Sequence, residues 1–383
     1  MAFASFTVDL YLPSLPSVGA TFGVDAGIAQ LTLGSTALGL AVGQLVVGAW
    51  SDVVGRRRPL IVAAFSYTVF ALVASSAWSI EVLIICRCVM GIAAAAGTVV
   101  SLAAMRDLVS GLPMIRMLAR LSAVSGIAPL AAPILGSLLL HLATWRGVFV
   151  ALAVYAALAG TAVYFFVAES LPVERRVRFA PRAYVGRVSH LLSQRHFTGV
   201  VVIAGLGWGG MYAHLATSPF LVTTYLGLEP TQYGPLFALF AAGFVGSIQV
   251  SAHLSRTFGP VHMLGVGLSG QVAGGLVVAA FSAFDAPAPL FVVGIALYVA
   301  SIGLCLPATQ VLALAENSEF AGTAASLLGV GSYAMAGLST TVVGLLGVNS
   351  AGELSTLLLV MAVGAVGVLV LLVRPGSVAI TVR

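Results

Sequence analysis

The sequence predicts an all-α protein that crosses a membrane about twelve times. Of its 383 residues, 60% are hydrophobic and 8% are charged, and the mean hydropathy is +1.09. Soluble domains carry roughly 25% charged residues, because water must solvate their surfaces. The apolar residues also fall into twelve runs, most of them near the ~20 residues that a helix needs to cross the hydrocarbon core. The outer surface is therefore expected to face a lipid bilayer.

The twelve predicted spans form two sets of six. They cover residues 2–16, 28–50, 59–78, 81–104, 117–141 and 145–168, and then 198–225, 233–253, 261–283, 288–315, 321–347 and 353–374. The first run is short for a span, so the first helix is apparently truncated. The only long charged stretch, 169–197, separates an N-terminal half, 1–168, from a C-terminal half, 198–383. We expect this stretch to be a linker loop.

Arginine is distributed unevenly over the connecting loops. All 17 basic residues are arginine, and the loops on one side of the predicted bundle hold most of them. Cytoplasmic loops collect positive charge, because its outward translocation is disfavoured. We therefore expect a multi-pass membrane protein with both termini and the linker loop in the cytoplasm. Nucleic acid is not an expected partner, since the arginines lie in short loops between apolar runs.

The composition also argues against several kinds of chemistry. Without lysine, the chain can form neither a P-loop nor a Schiff-base lysine. The three cysteines lie inside apolar runs and lack the spacing of a metal site or a disulfide framework. No HExxH motif or intramembrane carboxylate pair is present, so we do not expect an enzyme. We expect no metal and no cofactor.

The loop after the second predicted span carries a motif formed by Gly48, Asp52, Gly55, Arg56 and Arg57. It resembles the loop signature of major facilitator transporters, G-x-L-x-D-R-x-G-R-[RK], with departures at two positions. The resemblance implies two six-helix halves that rock around a substrate site at the midplane. In the physical interpretation, the carboxylate pairs with basic groups and a helix N-terminus in one conformational state only. The alternative is an ordinary basic cytoplasmic loop.

Two charged residues, Asp9 and Arg87, lie within the first and fourth predicted spans. An intramembrane charge costs at least ~2.5 kcal/mol, so each residue is a functional candidate. Arg87 begins a run similar to the family's fourth-helix motif R-x-x-[QH]-G, whose arginine is linked to proton coupling. Asp9 would lose hydration at this depth, which suits reversible protonation. Alternatively, Arg87 extends to the interface and Asp9 caps a broken helix before Pro13.

The fifth predicted span contains closely spaced small residues and prolines. They are Ala128, Pro129, Ala132, Pro133 and Gly136. Small residues allow close helix approach, and proline removes a backbone donor and bends a helix. The run resembles the antiporter motif G-x-x-x-G-P-x-x-G-G, which in the family marks exporters. Generic tight packing is the alternative.

An ordered set of further matches narrows the resemblance. The first span reads D-x-Y-L-P-x-L-P, and the chain continues with Met105-Arg-Asp-Leu, Glu169-Ser-Leu-Pro-Val-Glu-Arg-Arg and Ala321-Gly-Thr-Ala-Ala-Ser-Leu. This set resembles the Bcr/CflA subfamily, the bicyclomycin and chloramphenicol resistance group. The resemblance implies a monomer in a bacterial inner (plasma) membrane that exports small, amphipathic, drug-like compounds in exchange for protons. The proton gradient would then be its energy source. A proton-coupled exporter of a specific metabolite or amino acid is the alternative.

Aromatic and methionine side chains suggest where the substrate binds. The candidate lining residues are Tyr11, Trp208, Met211, Tyr212 and Phe220. Such side chains adapt to varied apolar ligands, although ordinary helix packing explains them equally well. His214, in the same span, is a less favoured candidate for carrying protons.

Overall fold

The computed structural model describes residues 3–108, 111–176, 181–229, 232–284, 286–315, 317 and 320–373. Side chains are not described at 106, 111–116, 118–120, 122–125, 175, 181 and 183. The two termini, whose cytoplasmic location the sequence predicts, and residues 177–180 of the predicted linker lie outside the described residues. The statements below concern the described part of the chain.

Every regular element in the described residues is helical. The α-helices are α1 (Phe3–Asp9), α2 (Leu15–Phe22), α3 (Ala26–Val54), α4 (Arg57–Ser75), α5 (Ile80–Leu108), α6 (Gly111–Leu142), α7 (Trp145–Phe166), α8 (Pro181–Ser193), α9 (Arg195–Leu226), α10 (Tyr233–Phe258), α11 (Pro260–Ala283), α12 (Ala288–Ala315), α13 (Ala321–Leu346) and α14 (Ala351–Val368). Short 3₁₀ turns cover Leu12–Ser14 and Val173–Arg175, and a π-helical turn, Leu369–Val373, extends α14.

The predicted all-α membrane fold is confirmed. Within the described residues, ten helices are long and apolar enough to cross a membrane, namely α3, α4, α5, α7 and α9 to α14. The other two predicted spans correspond to α6, whose described apolar part is Gly126–Leu142, and to the first helix, which is broken. The predicted linker is more ordered than expected, because α8 lies within it.

The first span consists of two short helices separated by a 3₁₀ turn. α1 ends at Asp9, and α2 begins at Leu15. The break follows from Pro13, which has no N–H to donate to the carbonyl of Asp9 four residues earlier. The prediction ended this span at residue 16, whereas α2 continues to Phe22 and ends at Gly23, whose φ of 62° is a left-handed helix cap.

The chain divides into two compact units. Unit 1 comprises Met1–Ala180 and Glu229–Pro235, and unit 2 comprises Pro181–Leu228 and Leu236–Arg383. In unit 1, α3 packs along α5, and α4 packs against both α5 and α7. The α3–α5 approach is close, because a Cβ atom at Gly43 would lie 2.6 Å from the carbonyl oxygen of Ile92. Bulkier side chains would force these helices apart.

Unit 2 is organised around α9, α11, α12, α13 and α14. α11 packs along α12 and α14, while α9 packs along α13, α14 and α12. The amphipathic helix α8 inserts Leu191 into the apolar core of this unit. The core also contains Phe197, Leu264 and Leu312, each no more than 1% exposed.

Candidate functional site

The break in the first helix brings several buried polar groups of unit 1 together. Beyond the break, the Tyr11 N–H donates to the carbonyl of Val8, at 3.3 Å, instead of to that of Thr7. Arg87 on α5 compensates, because its Nη1 donates to the Thr7 carbonyl at 2.8 Å. Arg87 is fully buried, and its guanidinium carbon lies 4.3 Å from the centre of the Tyr11 ring. The arginine thus binds the broken end of α1 from a neighbouring helix.

Hydroxyl groups from other helices complete this region. The Tyr11 hydroxyl shares a 2.8 Å hydrogen bond with Thr32 on α3, and the Tyr67 hydroxyl on α4 shares one of 2.9 Å with Thr7. Phe149 on α7 lies beside Tyr11, with ring centres 5.4 Å apart. Four helices therefore contact the two turns of backbone on either side of the break.

Asp9 is the last residue of α1 and is 7% exposed. Within the described part of the chain, its carboxylate has no hydrogen bond or ion pair, so Asp9 and Arg87 do not form a salt bridge in this conformation. Both residues nevertheless belong to the same region, because Arg87 binds the carbonyl of Thr7, two positions before Asp9. The two residues that the sequence singles out for proton coupling are therefore near one helix end.

The antiporter-motif residues lie on α6, which is continuous despite its two prolines. They are Ala128, Pro129, Ala132, Pro133 and Gly136. Gly136 faces the break directly, because a Cβ atom there would collide with the carbonyl oxygen of Leu10 and lie 3.1 Å from its carbonyl carbon. The motif thus brings the backbone of α6 at Gly136 against the backbone of Leu10, the residue that follows Asp9.

The loop motif forms an ion-pair network around Arg56. Its Nη1 pairs with Asp52 at 2.5 Å and donates to the Ser51 hydroxyl at 2.7 Å. Its Nε pairs with Asp107, at the end of α5, at 2.8 Å. Burial alone would lower the pKa of Arg56, but its bonds to Asp107 and Asp52 outweigh burial and raise it. The guanidinium therefore ties the end of α3 to the end of α5.

A second carboxylate, that of Glu169, binds the N-terminus of α4. It accepts hydrogen bonds from the backbone N–H groups of Arg56 at 2.7 Å, Arg57 at 3.3 Å and Leu171 at 3.0 Å. Gly55 makes room for it: its φ is 99°, and a Cβ atom there would lie 2.7 Å from the Glu169 carboxyl carbon. A carboxylate at this position satisfies free N–H groups and opposes the positive end of the helix dipole.

Electrostatics favour the charged form of Glu169. Burial alone would raise its pKa, but the backbone hydrogen bonds from Arg56, Leu171 and Arg57, together with the charge of Arg176, lower it. Arg57 is held as well, because its Nη2 donates to the Tyr164 carbonyl near the end of α7. The loop motif is therefore bound to the end of α7 and to the segment that follows it. Gly48, the first residue of the motif, lies on α3, one helical turn before Asp52.

Sequence reasoning did not identify Asp107 and Glu169 as binding partners of the loop motif. Both residues stand in stretches that supported the subfamily resemblance, Met105-Arg-Asp-Leu and Glu169-Ser-Leu-Pro. Their pairing with Arg56 spans 51 and 113 residues of sequence. The available signal was an acidic residue at the end of α5 and another just beyond the end of α7, together with a strongly basic loop.

The candidate substrate-lining residues divide between the units. Tyr11 belongs to unit 1 and is fully buried at the break. In unit 2, Trp208 lies 6.0 Å from Tyr212 and 5.4 Å from Tyr333, measured between ring centres. Tyr333 on α13 was not predicted. The other two candidates, Met211 and Phe220, lie on α9 and are partly buried.

No group of three or more potential metal ligands occurs in the described residues.

Comparisons with known proteins identify the fold and the family. The model of the Major Facilitator Superfamily matches residues 1–340. A crystal structure of a D-xylose–proton symporter is 15% identical in sequence and superposes with a TM-score of 0.74. The match covers 95% of this chain and 94% of the symporter chain.

Curated relatives of similar length support the same assignment. The uncharacterized MFS-type transporter YdgK of Bacillus subtilis is 29% identical, over 88% of this chain and 85% of its own. The bicyclomycin resistance protein homolog of Haemophilus influenzae is 25% identical, over 91% and 88% respectively. The resemblance to the Bcr/CflA drug-efflux subfamily is thereby confirmed. The protein is a multi-pass transporter of the plasma membrane, not an enzyme, and the chain belongs to the Major Facilitator Superfamily.

Proposed function

We propose that this protein is a drug:proton antiporter that exports small amphipathic compounds, such as chloramphenicol- or bicyclomycin-like antibiotics, by alternating access. The proton gradient supplies the energy, and no cofactor takes part. In this proposal the protein works as a monomer, with residues 1–168 and 198–383 as the two moving halves. Both termini and the 169–197 linker lie in the cytoplasm. The bicyclomycin resistance relative supports the substrate class.

One observation carries the proposal: Asp9 is a buried carboxylate, without a hydrogen bond or ion pair in the described part of the chain, at the break of a transmembrane helix. An isolated charge in such surroundings is costly, so the group favours taking up a proton whenever one can reach it. A structural carboxylate would instead be paired or hydrogen-bonded, as Asp107 and Glu169 are. Asp9 has the properties of a proton carrier.

Arg87 gives protonation of Asp9 a mechanical consequence. When Asp9 is charged, it attracts the guanidinium, and this attraction competes with the hydrogen bond from Arg87 to the Thr7 carbonyl. When Asp9 is protonated, the attraction disappears and Arg87 remains on Thr7. The two protonation states therefore favour different positions of the helix-1 break relative to α5, and such a bias shifts a conformational equilibrium.

The remaining motifs have supporting roles in this scheme. Gly136 allows α6 to follow the break closely, so a movement there is transmitted to α6. The Arg56 network and Glu169 hold the ends of α3, α4 and α5 together and stabilise one of the two states. Each unit contributes its own proposed substrate-contacting side chains: Tyr11 in unit 1, and Trp208, Met211, Tyr212 and Phe220 in unit 2.

Transport by energised inverted membrane vesicles tests the proposal. We expect uptake of chloramphenicol or of a cationic dye that stops when an uncoupler is added. The Asp9→Asn variant should lose proton-driven uptake, because asparagine cannot exchange a proton. Asp25→Asn is the matched control, since Asp25 is exposed at the start of α3 and its side chain makes no capping bond.

Two results would contradict the proposal. Uptake that persists with the uncoupler would exclude proton coupling. Wild-type proton stoichiometry in Asp9→Asn would exclude Asp9 as the proton carrier.

A further inference from the structure

His214 is a fully buried imidazole in the middle of α9. It is 1% exposed, and neither Nδ1 nor Nε2 has a hydrogen-bond partner among the described residues. Its ring meets the edge of Phe240 on α10, with centres 5.6 Å apart. The nearby Thr217 hydroxyl donates to the carbonyls of Ala213 and of His214 itself and makes no bond to the ring. The imidazole therefore offers two polar atoms in an apolar interior.

Packing alone does not account for this side chain. An imidazole always carries at least one N–H, and burying a donor or acceptor without a partner costs free energy. A phenylalanine would fill a similar volume without that cost. An unpartnered buried polar group in a transporter is therefore explained if a bound molecule supplies the partner during the transport cycle.

The surroundings within unit 2 favour a neutral ring over a charged one. In helices α9 to α14, the sequence places Asp, Glu, Lys or Arg only at Arg195, Arg256 and Glu353, each within three residues of a helix end. The other histidines of these helices, His196, His253 and His262, also lie near helix ends. A protonated imidazole would have no counter-charge at its own depth in this unit, and an unpaired buried charge is strongly unfavourable.

We propose that His214 is a neutral hydrogen-bonding site for uncharged compounds that carry hydroxyl or amide groups. This inference rests on the proposed function and narrows its substrate class. A neutral imidazole donates from one nitrogen and accepts at the other, so it complements a hydroxyl or an amide. It discriminates against molecules without such groups, because their binding leaves the ring unpartnered.

Access requires α9 to move, because the ring is enclosed in this conformation. Pro219 provides a weak point one turn further along the helix. Having no N–H, it leaves the carbonyl of Leu215 without its usual helical donor, and helices bend at such positions. A bend there would open the contact between His214 and Phe240.

Binding of two probes to the purified full-length protein tests the inference. Chloramphenicol carries hydroxyls and an amide, whereas tetraphenylphosphonium has no hydrogen-bonding group. His214→Phe should weaken chloramphenicol binding about 10- to 100-fold, the effect of losing one or two buried hydrogen bonds. It should leave tetraphenylphosphonium binding within about twofold. His214→Gln, which keeps a neutral donor and acceptor, should retain chloramphenicol binding within about threefold.

The melting temperature of each ligand-free variant separates this role from a structural one. His214→Phe should be at least as stable as the wild type, because it removes unpartnered polar atoms. A clear drop in its melting temperature would overturn the inference, as would unchanged chloramphenicol binding. Loss of proton-coupled transport in His214→Gln would also overturn it, because the ring would then carry protons.

The same probes separate failure of this inference from failure of the proposed function. If the wild type exports tetraphenylphosphonium but does not bind chloramphenicol, the His214 site is refuted and drug export stands. If it transports neither probe in energised vesicles, the proposed function fails and the inference fails with it.

Discussion

Replacing Glu169 by glutamine removes the negative charge that binds the N-terminus of α4 while preserving the shape of the side chain. In the native protein, this carboxylate accepts from the backbone N–H groups of Arg56, Leu171 and Arg57, at 2.7, 3.0 and 3.3 Å. Glutamine keeps one acceptor oxygen but turns an NH₂ group towards the remaining donor. The variant should therefore fold, with a weaker connection between α4 and the segment after α7.

The expected loss of stability follows from these bonds. Hydrogen bonds to a charged group contribute about 1.5–3 kcal/mol each, and those between neutral groups about 0.5–1.5 kcal/mol. Two short bonds that lose their charge assistance therefore cost about 2 kcal/mol. For a cooperative unit of 150–250 residues, 1 kcal/mol corresponds to about 2–4 °C, so the melting temperature should fall by about 4–8 °C.

Thermal unfolding of the purified protein at pH 7 provides the assay. Glu174→Gln is the matched control, because Glu174 is exposed five residues further along the same segment. The control should melt within about 1 °C of the wild type. Both variants change the net charge equally, so a difference between them reports on the contacts of Glu169.

Acidification provides a second test of the same reasoning. The pKa of Glu169 is lowered in the folded protein, so its contribution to stability is complete above the ordinary glutamate pKa of ~4.3 and is lost as the pH falls through the folded value. The wild type and Glu169→Gln should therefore converge in melting temperature at low pH. A Glu169→Gln variant that melts with the wild type at pH 7 would refute the role of this carboxylate.

Three further predictions concern the helix-1 break and the loop network. Gly136→Ala should reduce transport strongly, because a Cβ atom collides with the Leu10 backbone; Gly246→Ala, where a Cβ atom meets nothing within 4 Å, should transport normally in the same vesicles. Arg87→Lys should transport poorly although it keeps the charge, because an ammonium cannot both reach the Thr7 carbonyl and stack on Tyr11 as a planar guanidinium does; wild-type rates would argue against this geometry. Asp107→Asn should lower the melting temperature by a few degrees at low salt and by less in 1 M salt, because screening weakens its partly exposed ion pair; an effect independent of salt would contradict an electrostatic origin.

Composition and local pattern are sufficient for the membrane fold, because lipid imposes a requirement on every span separately. A run of apolar residues must form a helix to satisfy its backbone, so spans can be found without knowledge of their neighbours. The same locality explains why Asp9 and Arg87 could be identified: a charge within an apolar run is conspicuous in any arrangement of the helices. The break in the first span was also foreseeable from Pro13, although the continuation to Phe22 was not.

The partners of these residues depended on the tertiary structure. A helix that is apolar on every side gives little indication of which face meets its neighbours, and one residue of error rotates a side chain by about 100°. The sequence therefore could not show that Arg87 binds the Thr7 carbonyl, or that Gly136 lies on Leu10. It could not show that Glu169 reaches a helix N-terminus 112 residues earlier. Residue identity decided which groups could perform this chemistry, and helix rotation decided which of them meet.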